Sequence, residues 1–242
     1  MALAGDHVQV LVGGYELTGD LNAVQFQEQR QLLPAAAFGE AVEKSVGGRR
    51  QSQVSHTGYL NAQVARSHPV LHGVSVEQAV SVLVGDNAAP TVGSLAYSLA
   101  IRQQQYQVLP KLNEVIPFNA TFAPRGQAGG WGVALMPPTT LTNTTNGSSV
   151  DHGAATTRGG SAYLHILQTA ASDTYTLTVQ GSTSGAFSGE ETTLATFTLN
   201  ASALGAERLG IAGTLPRYTR YRAVRTGSAG QPVKLAVILV RE

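Results

Sequence analysis

The chain has 242 residues, enough for one large domain or two modest ones, each with its own core. Charged residues make up 13% and hydrophobic residues 43%, with 27 Gly and a net charge of +1; this balance excludes a charge-driven disordered chain and any global pull toward nucleic acid. There is no Cys, so disulfides and thiolate metal sites are excluded too.

The N-terminal MALAGDHVQV has no basic region and no apolar run of signal length. No segment approaches the run of about 18 apolar residues that spans a membrane. The expectation is a soluble chain with no membrane anchor and no export signal. Arg outnumbers Lys by 13 to 3, a bias that suits fixed contacts at interfaces.

Val8, Val10 and Val12 alternate with Gln9 and Leu11 and predict a strand with one apolar face. Gly13 and Gly14 permit a bend. Strand continues at Tyr15 and Leu17, breaks at Thr18-Gly19-Asp20-Leu21-Asn22, which has turn or bulge chemistry, and resumes at Ala23–Gln27. Gln25, Gln27 and Gln29 share one face, with Val24, Phe26 and Glu28 on the other. An uncharged, amide-lined face is unusual for open solvent. From Leu32 to Gly48 the period changes, and Pro34 to Gly39 suggests a helical turn inside a long, interfacial loop. Arg50 to Ala62 returns to strand, where Gln51, Gln53 and Ser55 alternate with Ser52, Val54 and His56.

Val74 to Val84 reads as a short helix over 76–80 or a strand over 80–84, closed by Gly85-Asp86-Asn87. Ser94–Tyr106 and Val115–Ala123 read as paired strands around Pro110–Asn113. Residues 124–150, rich in Gly, Pro and Thr, mark the expected linker. It divides a first β-domain over 1–123 from a second β-sandwich over 151–242. In the second domain, strands are expected at Ala162–Gln168, Tyr175–Gly181, Leu194–Asn200, Tyr218–Arg225 and Val233–Arg241. The last is apolar on both faces and is expected to be central.

The first half resembles the tail tube (major tail) proteins of long-tailed bacteriophages. The resemblance rests on Leu17–Asn22 between two strands, a loop holding Phe38-Gly39-Glu40, and Gly47–Arg50 leading into a strand that ends Thr57-Gly58-Tyr59-Leu60. The second half, through Gly160–Leu164, Thr178–Ser182 with Gly185-Ala186-Phe187, and Arg217–Arg222, resembles jelly-roll modules of two kinds. One is the second domain of two-domain tube proteins; the other is the discoidin-like carbohydrate-binding sandwich. The resemblance implies an all-β chain with one short helix: a tail-tube fold followed by a jelly-roll-like sandwich. It implies a structural, non-enzymatic virion protein, made in the host cytoplasm, with no cofactor. Its copies form trimeric pseudo-hexameric or hexameric rings, stacked into a tube through which viral DNA passes. Tape measure, tail tip and terminator proteins are the implied partners.

On that reading Gln25, Gln27, Gln29, Gln51 and Gln53 line the lumen. Phe38, Glu40, Arg217, Tyr218, Arg220, Tyr221 and Arg222 contact neighbouring subunits. A carbohydrate-binding module or phage adhesin (a minor tail protein) is the alternative, with Trp131, Tyr218 and Arg220 as its sugar contacts. His68 and His72 stand four apart, as two metal ligands on a helix do, but Pro69 and Gly73 argue against that helix. Asp151-His152 lacks the ordered partners of a triad, and Gly126–Gly132 lacks the helix start of a phosphate loop.

Overall fold

The computed structural model describes residues 7–35, 44–72, 78–170, 172–228 and 230–242. The chain divides into two compact units. The larger holds Met1–Gly19, Glu77–Ala100 and Gly130–Glu242; the smaller holds Asp20–Val76 and Ile101–Gly129. This is not the expected order of one domain, a linker over 124–150 and a second domain, because the chain leaves the larger unit twice and returns twice. The expected linker instead contains a long strand from Gly130 to Leu141 that is paired inside the larger unit. Its Gly residues serve close packing rather than freedom: a Cβ on Gly132 would lie 2.1 Å from the Leu239 carbonyl oxygen.

In the smaller unit, β3 (Leu21–Pro34), β4 (Ser45–Tyr59), β7 (Pro117–Pro124) and the second half of β6 (Leu95–Val108) pair antiparallel in the order β3-β4-β7-β6. The long loop expected from Leu32 is corrected at both ends. Leu32 pairs with Gly47, Leu33 with Val46 and Pro34 with Ser45, so β3 and β4 form one long hairpin. Pro, Ala and Gly suggest a loop locally, but the ladder partner decides. The helical turn expected from Pro34 lies mostly outside the described residues, as do Phe38 and Glu40.

The helix lies elsewhere, as α1 (Ser67–Leu71), and it contains Pro69. Pro69 sits in the first turn, where its missing N–H has no intrahelical partner to lose. The start of α1 is pinned by Asp20, only 8% exposed, whose carboxylate accepts from the Ser67 N–H at 2.8 Å and the Asn61 amide at 3.0 Å. The Thr18–Asp20 turn and a bulge between Leu21 and Ala23 bring Asp20 to that position. Gly58 accommodates them, since a Cβ there would meet the Asp20 carbonyl oxygen at 2.1 Å.

The larger unit has two sheets. One runs β14 (Gly205–Ile211), β11 (Gly160–Gln168), β16 (Val233–Arg241), β8 (Gly130–Leu141), the first half of β6, β5 (Gln78–Val84), β1 (Val8–Val12) and β2 (Tyr15–Glu16). The other runs β10 (Val150–Asp151), β15 (Tyr218–Thr226), β12 (Thr174–Ser182) and β13 (Thr192–Thr196), with β9 (Thr145–Asn146) also on β15. Leu164, Ile166, Leu235, Val237 and Leu239 of the first sheet share a core with Tyr175, Leu177, Val179 and Tyr221 of the second. On the other face of the first sheet, Ala236, Ile238 and Val240 pack with Leu11, Leu83 and Tyr163. That explains the two apolar faces of β16, which lies between β11 and β8 as expected for a central strand.

Two histidines are buried in these cores. His56 of β4 is fully buried edge-on to Phe122, with no hydrogen-bond partner on either ring nitrogen; burial pushes it down to about 3. His165 of β11 donates from Nδ1 to the Gly13 carbonyl and accepts at Nε2 from Ser81. Burial pushes it down to about 4, against the Gly13 hydrogen bond that raises it. Both folded values lie below the unfolded value near 6.5, so the unfolded chain takes up more protons as pH falls. Stability should therefore decline below pH 6.5 by about 1.4 kcal/mol per pH unit for each histidine. Urea unfolding at several pH values checks this, and His56→Leu should remove its share of the slope; an unchanged slope contradicts it.

Candidate functional site: an amide-lined sheet face

The sheet of the smaller unit has two chemically distinct faces, set by alternation along each strand. Val54, His56, Phe118, Ala120 and Phe122 point inward and are buried. On the opposite face, β3 presents Gln25, Gln27 and Gln29. Directly across, β4 presents Ser55 opposite Gln25, Gln53 opposite Gln27 and Gln51 opposite Gln29. All five glutamines singled out in the sequence thus share one face, four of them exposed and Gln53 half-buried.

The face extends beyond those five residues. Thr121 of β7 pairs with Ser55 and Asn119 with Thr57, and Gln105 and Gln107 of β6 stand opposite Thr121 and Asn119. Sequence reasoning assigned Gln25 to Gln53 because their alternation is local. It missed Gln105 and Gln107, whose signal was the Gln103-Gln104-Gln105 run before Tyr106, and which a bulge between Gln103 and Gln105 shifts in register. Across the four-stranded part, the paired positions of this face carry amides, hydroxyls and alanines, with a charge at Arg102, opposite Ala123, at one end. The Glu28–Arg50 ion pair, 2.9 Å, lies on the other face of the hairpin.

Where β3 and β4 run past the end of β7, the face deepens into a hollow of about 850 Å³. Gln27, Gln29, Gln51, Gln53, Gln104 and Gln127 supply amides to it, Arg49 supplies charge, and Arg50 borders it while its guanidinium pairs with Glu28. Ser52 closes the base, where its Oγ accepts from the Gly129 N–H at 3.2 Å.

The contact residues expected in the second half are spread over different environments. Tyr221 does not reach a neighbour: it is 6% exposed in the core of the larger unit, because alternation on β15 turns it inward with Ala223. Arg220 and Arg222 lie on the outer face of that sheet, opposite Gln180 and Thr178. Arg220 donates to the Gln180 side chain at 2.9 Å, with its guanidinium 4.3 Å from the Phe187 ring centroid. Arg217 is exposed, donates twice to Asp151 at 2.7 and 2.6 Å, and lies 4.9 Å from the Tyr218 ring centroid. The Arg217 hydrogen bonds, then that of the Gly153 N–H, hold the Asp151 carboxyl at about 2. Trp131 packs edge-on against Tyr97, 5.1 Å between centroids. His68 and His72 do stack, at 4.9 Å, but His68 Nδ1 is engaged with the Tyr106 hydroxyl and His72 Nδ1 with the His68 carbonyl.

No protein-family model matches the chain, and no curated protein matches its sequence. Among solved structures, it is similar to a protein in the tail of an empty gene transfer agent particle, at 12% identity and a TM-score of 0.40, over 52% of this chain and 96% of that one. It is similar to the SPP1 tail tube at 7% identity and a TM-score of 0.42, over 53% of this chain and 78% of that one. It is also similar to the SPP1 Dit protein, described as a hub of the adsorption apparatus, at 11% identity and a TM-score of 0.32, over 96% and 98%.

The directly opposed Gln27 and Gln53 give a test of the face. Changing both to Glu puts like charges across the ladder and should cost about 0.2–1 kcal/mol beyond the sum of the single changes. Pairing Gln27→Lys with Gln53→Glu should recover it. A double-mutant cycle from urea midpoints measures the coupling, and equal effects for both pairs rule the register out.

Proposed function

We propose that this chain is a tail tube subunit of a long-tailed bacteriophage, whose copies close into rings that stack around a channel for DNA. The observation that carries this is the amide-lined face, uncharged except at its arm-ward end, spread over all four strands of the smaller unit. Amides and hydroxyls hydrate well and release no counterions, so a polyanion can slide along them; a Lys- and Arg-studded wall holds it instead.

Size and edges support the reading. Each chain supplies one such four-stranded sheet, so six chains supply about 24 strands, which at about 4.8 Å spacing and the tilt of a barrel give a circumference of roughly 115–150 Å. The diameter is then about 40 Å, wide enough for a duplex. Among the described residues the amide face occurs once, which favours six chains per ring over three. Among the described residues β3 pairs with β4 alone and so presents a 14-residue edge; a closed ring removes such edges.

Stacking is supported by apolar residues at both ends of the sheet. Leu32, Leu33 and Val46 are exposed near the hairpin tip, while Tyr59, Leu109, Leu112 and Val115 are exposed at the opposite end. A two-stranded ribbon is marginal in water by itself, so an arm exposing leucines suits a neighbouring copy. Gln25, Gln27, Gln29, Gln51 and Gln53 face the lumen in this assembly. Phe38, Glu40, Arg217, Tyr218, Arg220 and Arg222 serve lateral or axial contacts; Tyr221 is withdrawn from that set. Synthesis in the host cytoplasm, residence in the virion tail, and tape measure, terminator and tail-tip partners belong to the same reading.

Electron microscopy of the purified protein, alone and with a tail-tip initiator, tests this. Rings or tubes are expected, and persistent monomers in both preparations overturn it. Leu33→Lys with Val46→Asp, opposite charges at directly opposed exposed positions, should abolish lengthwise growth while leaving the melting temperature within about 2 °C.

A further inference from the structure

Beside the 850 Å³ hollow lies a second of about 420 Å³, and the two share the walls formed by Gln104, Ala123, Pro124 and Gly126. Both belong to the smaller unit. Arg49 and Arg50 line the first, Arg102 and Arg125 the second, and among the described residues neither lining contains a carboxylate. Arg50 is answered by Glu28 on the other face of the hairpin.

Position separates Arg49 and Arg102 from the rest. Arg49 stands two residues before Gln51 on β4. Arg102 stands opposite Ala123, itself two residues after Thr121. Pairing with Ala123 places Arg102 on the amide face, and Arg49, beside the irregularity in β4, lines the same hollow as Gln27, Gln29, Gln51 and Gln53, so both cations stand at the arm-ward end. In a chain whose net charge is +1, an otherwise uncharged face thus ends in a local cluster of guanidinium groups.

We infer that these adjoining hollows form a phosphate-contact site for a nucleic acid backbone, with Arg49 and Arg102 as its ion-pairing groups and neighbouring glutamine amides as secondary donors. Guanidinium forks match phosphate oxygens bidentately. The apolar part of the lining is Ala123, Pro124 and Ala128, with no aromatic or large aliphatic pocket of the kind that anchors a peptide. Amides that meet phosphate and sugar read no base sequence, as suits a polymer whose sequence varies along its length. The inference rests on the proposed channel for the direction the face looks. It adds one gripping point at the end of a wall that is otherwise non-adhesive.

Fluorescence anisotropy of a short labelled duplex with the full chain tests the site. Two or three neutralised phosphates predict an affinity that falls about 10- to 40-fold between about 50 and 200 mM salt. Arg49→Gln and Arg102→Gln should each flatten the salt slope by about one unit, while Arg158→Gln in the larger unit leaves it unchanged. No binding at low salt, or a double variant with wild-type affinity and slope, overturns the inference. So does displacement of the duplex by polyglutamate at equal charge concentration, which assigns the hollows to an acidic protein partner. Imaging the same preparations separates the two claims: rings without DNA binding remove this site alone, whereas binding by persistent monomers removes the tube reading.

Discussion

The register of β3 on β4 is the constraint on which the smaller unit depends. Strand side chains alternate with a period of two, so a slip of one residue would exchange Gln53 for Val54 and Ser55 for His56. The amide face would then enter the core, and Val54 and His56 would enter solvent. Burial of Val54, Phe118 and Phe122 therefore fixes one face and, through the same ladder, creates the other. The amide face is a by-product of the core.

Other features hold that register in place. Asp20 ties the entrance of β3 to the start of α1, and Gly58 lets the β4 backbone pass against the Asp20 carbonyl. The buried His56, without a hydrogen-bond partner, works in the opposite direction, because a desolvated polar ring weakens the core it occupies. In the larger unit the equivalent polar group, His165, is satisfied on both nitrogens by Gly13 and Ser81. One buried imidazole thus specifies a contact between strands, while the other is tolerated at a cost in stability and acid resistance.

Charge placement carries the functional contrast. Asp151 and Arg217 neutralise each other, as do Glu16 and Lys234, and Glu207 accepts from the Thr198 and Leu199 N–H groups and the Thr198 hydroxyl. These are local settlements of a small number of charges. The amide face avoids charge altogether along its paired positions, except where Arg49 and Arg102 end it. In the proposed tube, an uncharged face with a cationic margin would treat a polyanion differently along its length, a difference set by side-chain identity.

Local pattern determined much of this chain. Alternation placed Gln25 to Gln53 on one face, two-sided apolarity made β16 central, and the Thr18–Asn22 cluster marked a turn and a bulge, because each depends on neighbours within a few residues. Tertiary pairing decided the rest. The nesting of the smaller unit depends on β8 joining β6 and β16, partners far away in sequence, so a Gly-rich strand start looked like a linker. The helix around Pro69 depends on Asp20, a side chain 47 residues from its partner Ser67. Tyr221 is withdrawn by the sheet it faces, and Leu32–Pro34 is drawn into strand by the β4 residues opposite. Composition reports what a segment prefers alone; long-range hydrogen bonds and burial decide which partner it meets.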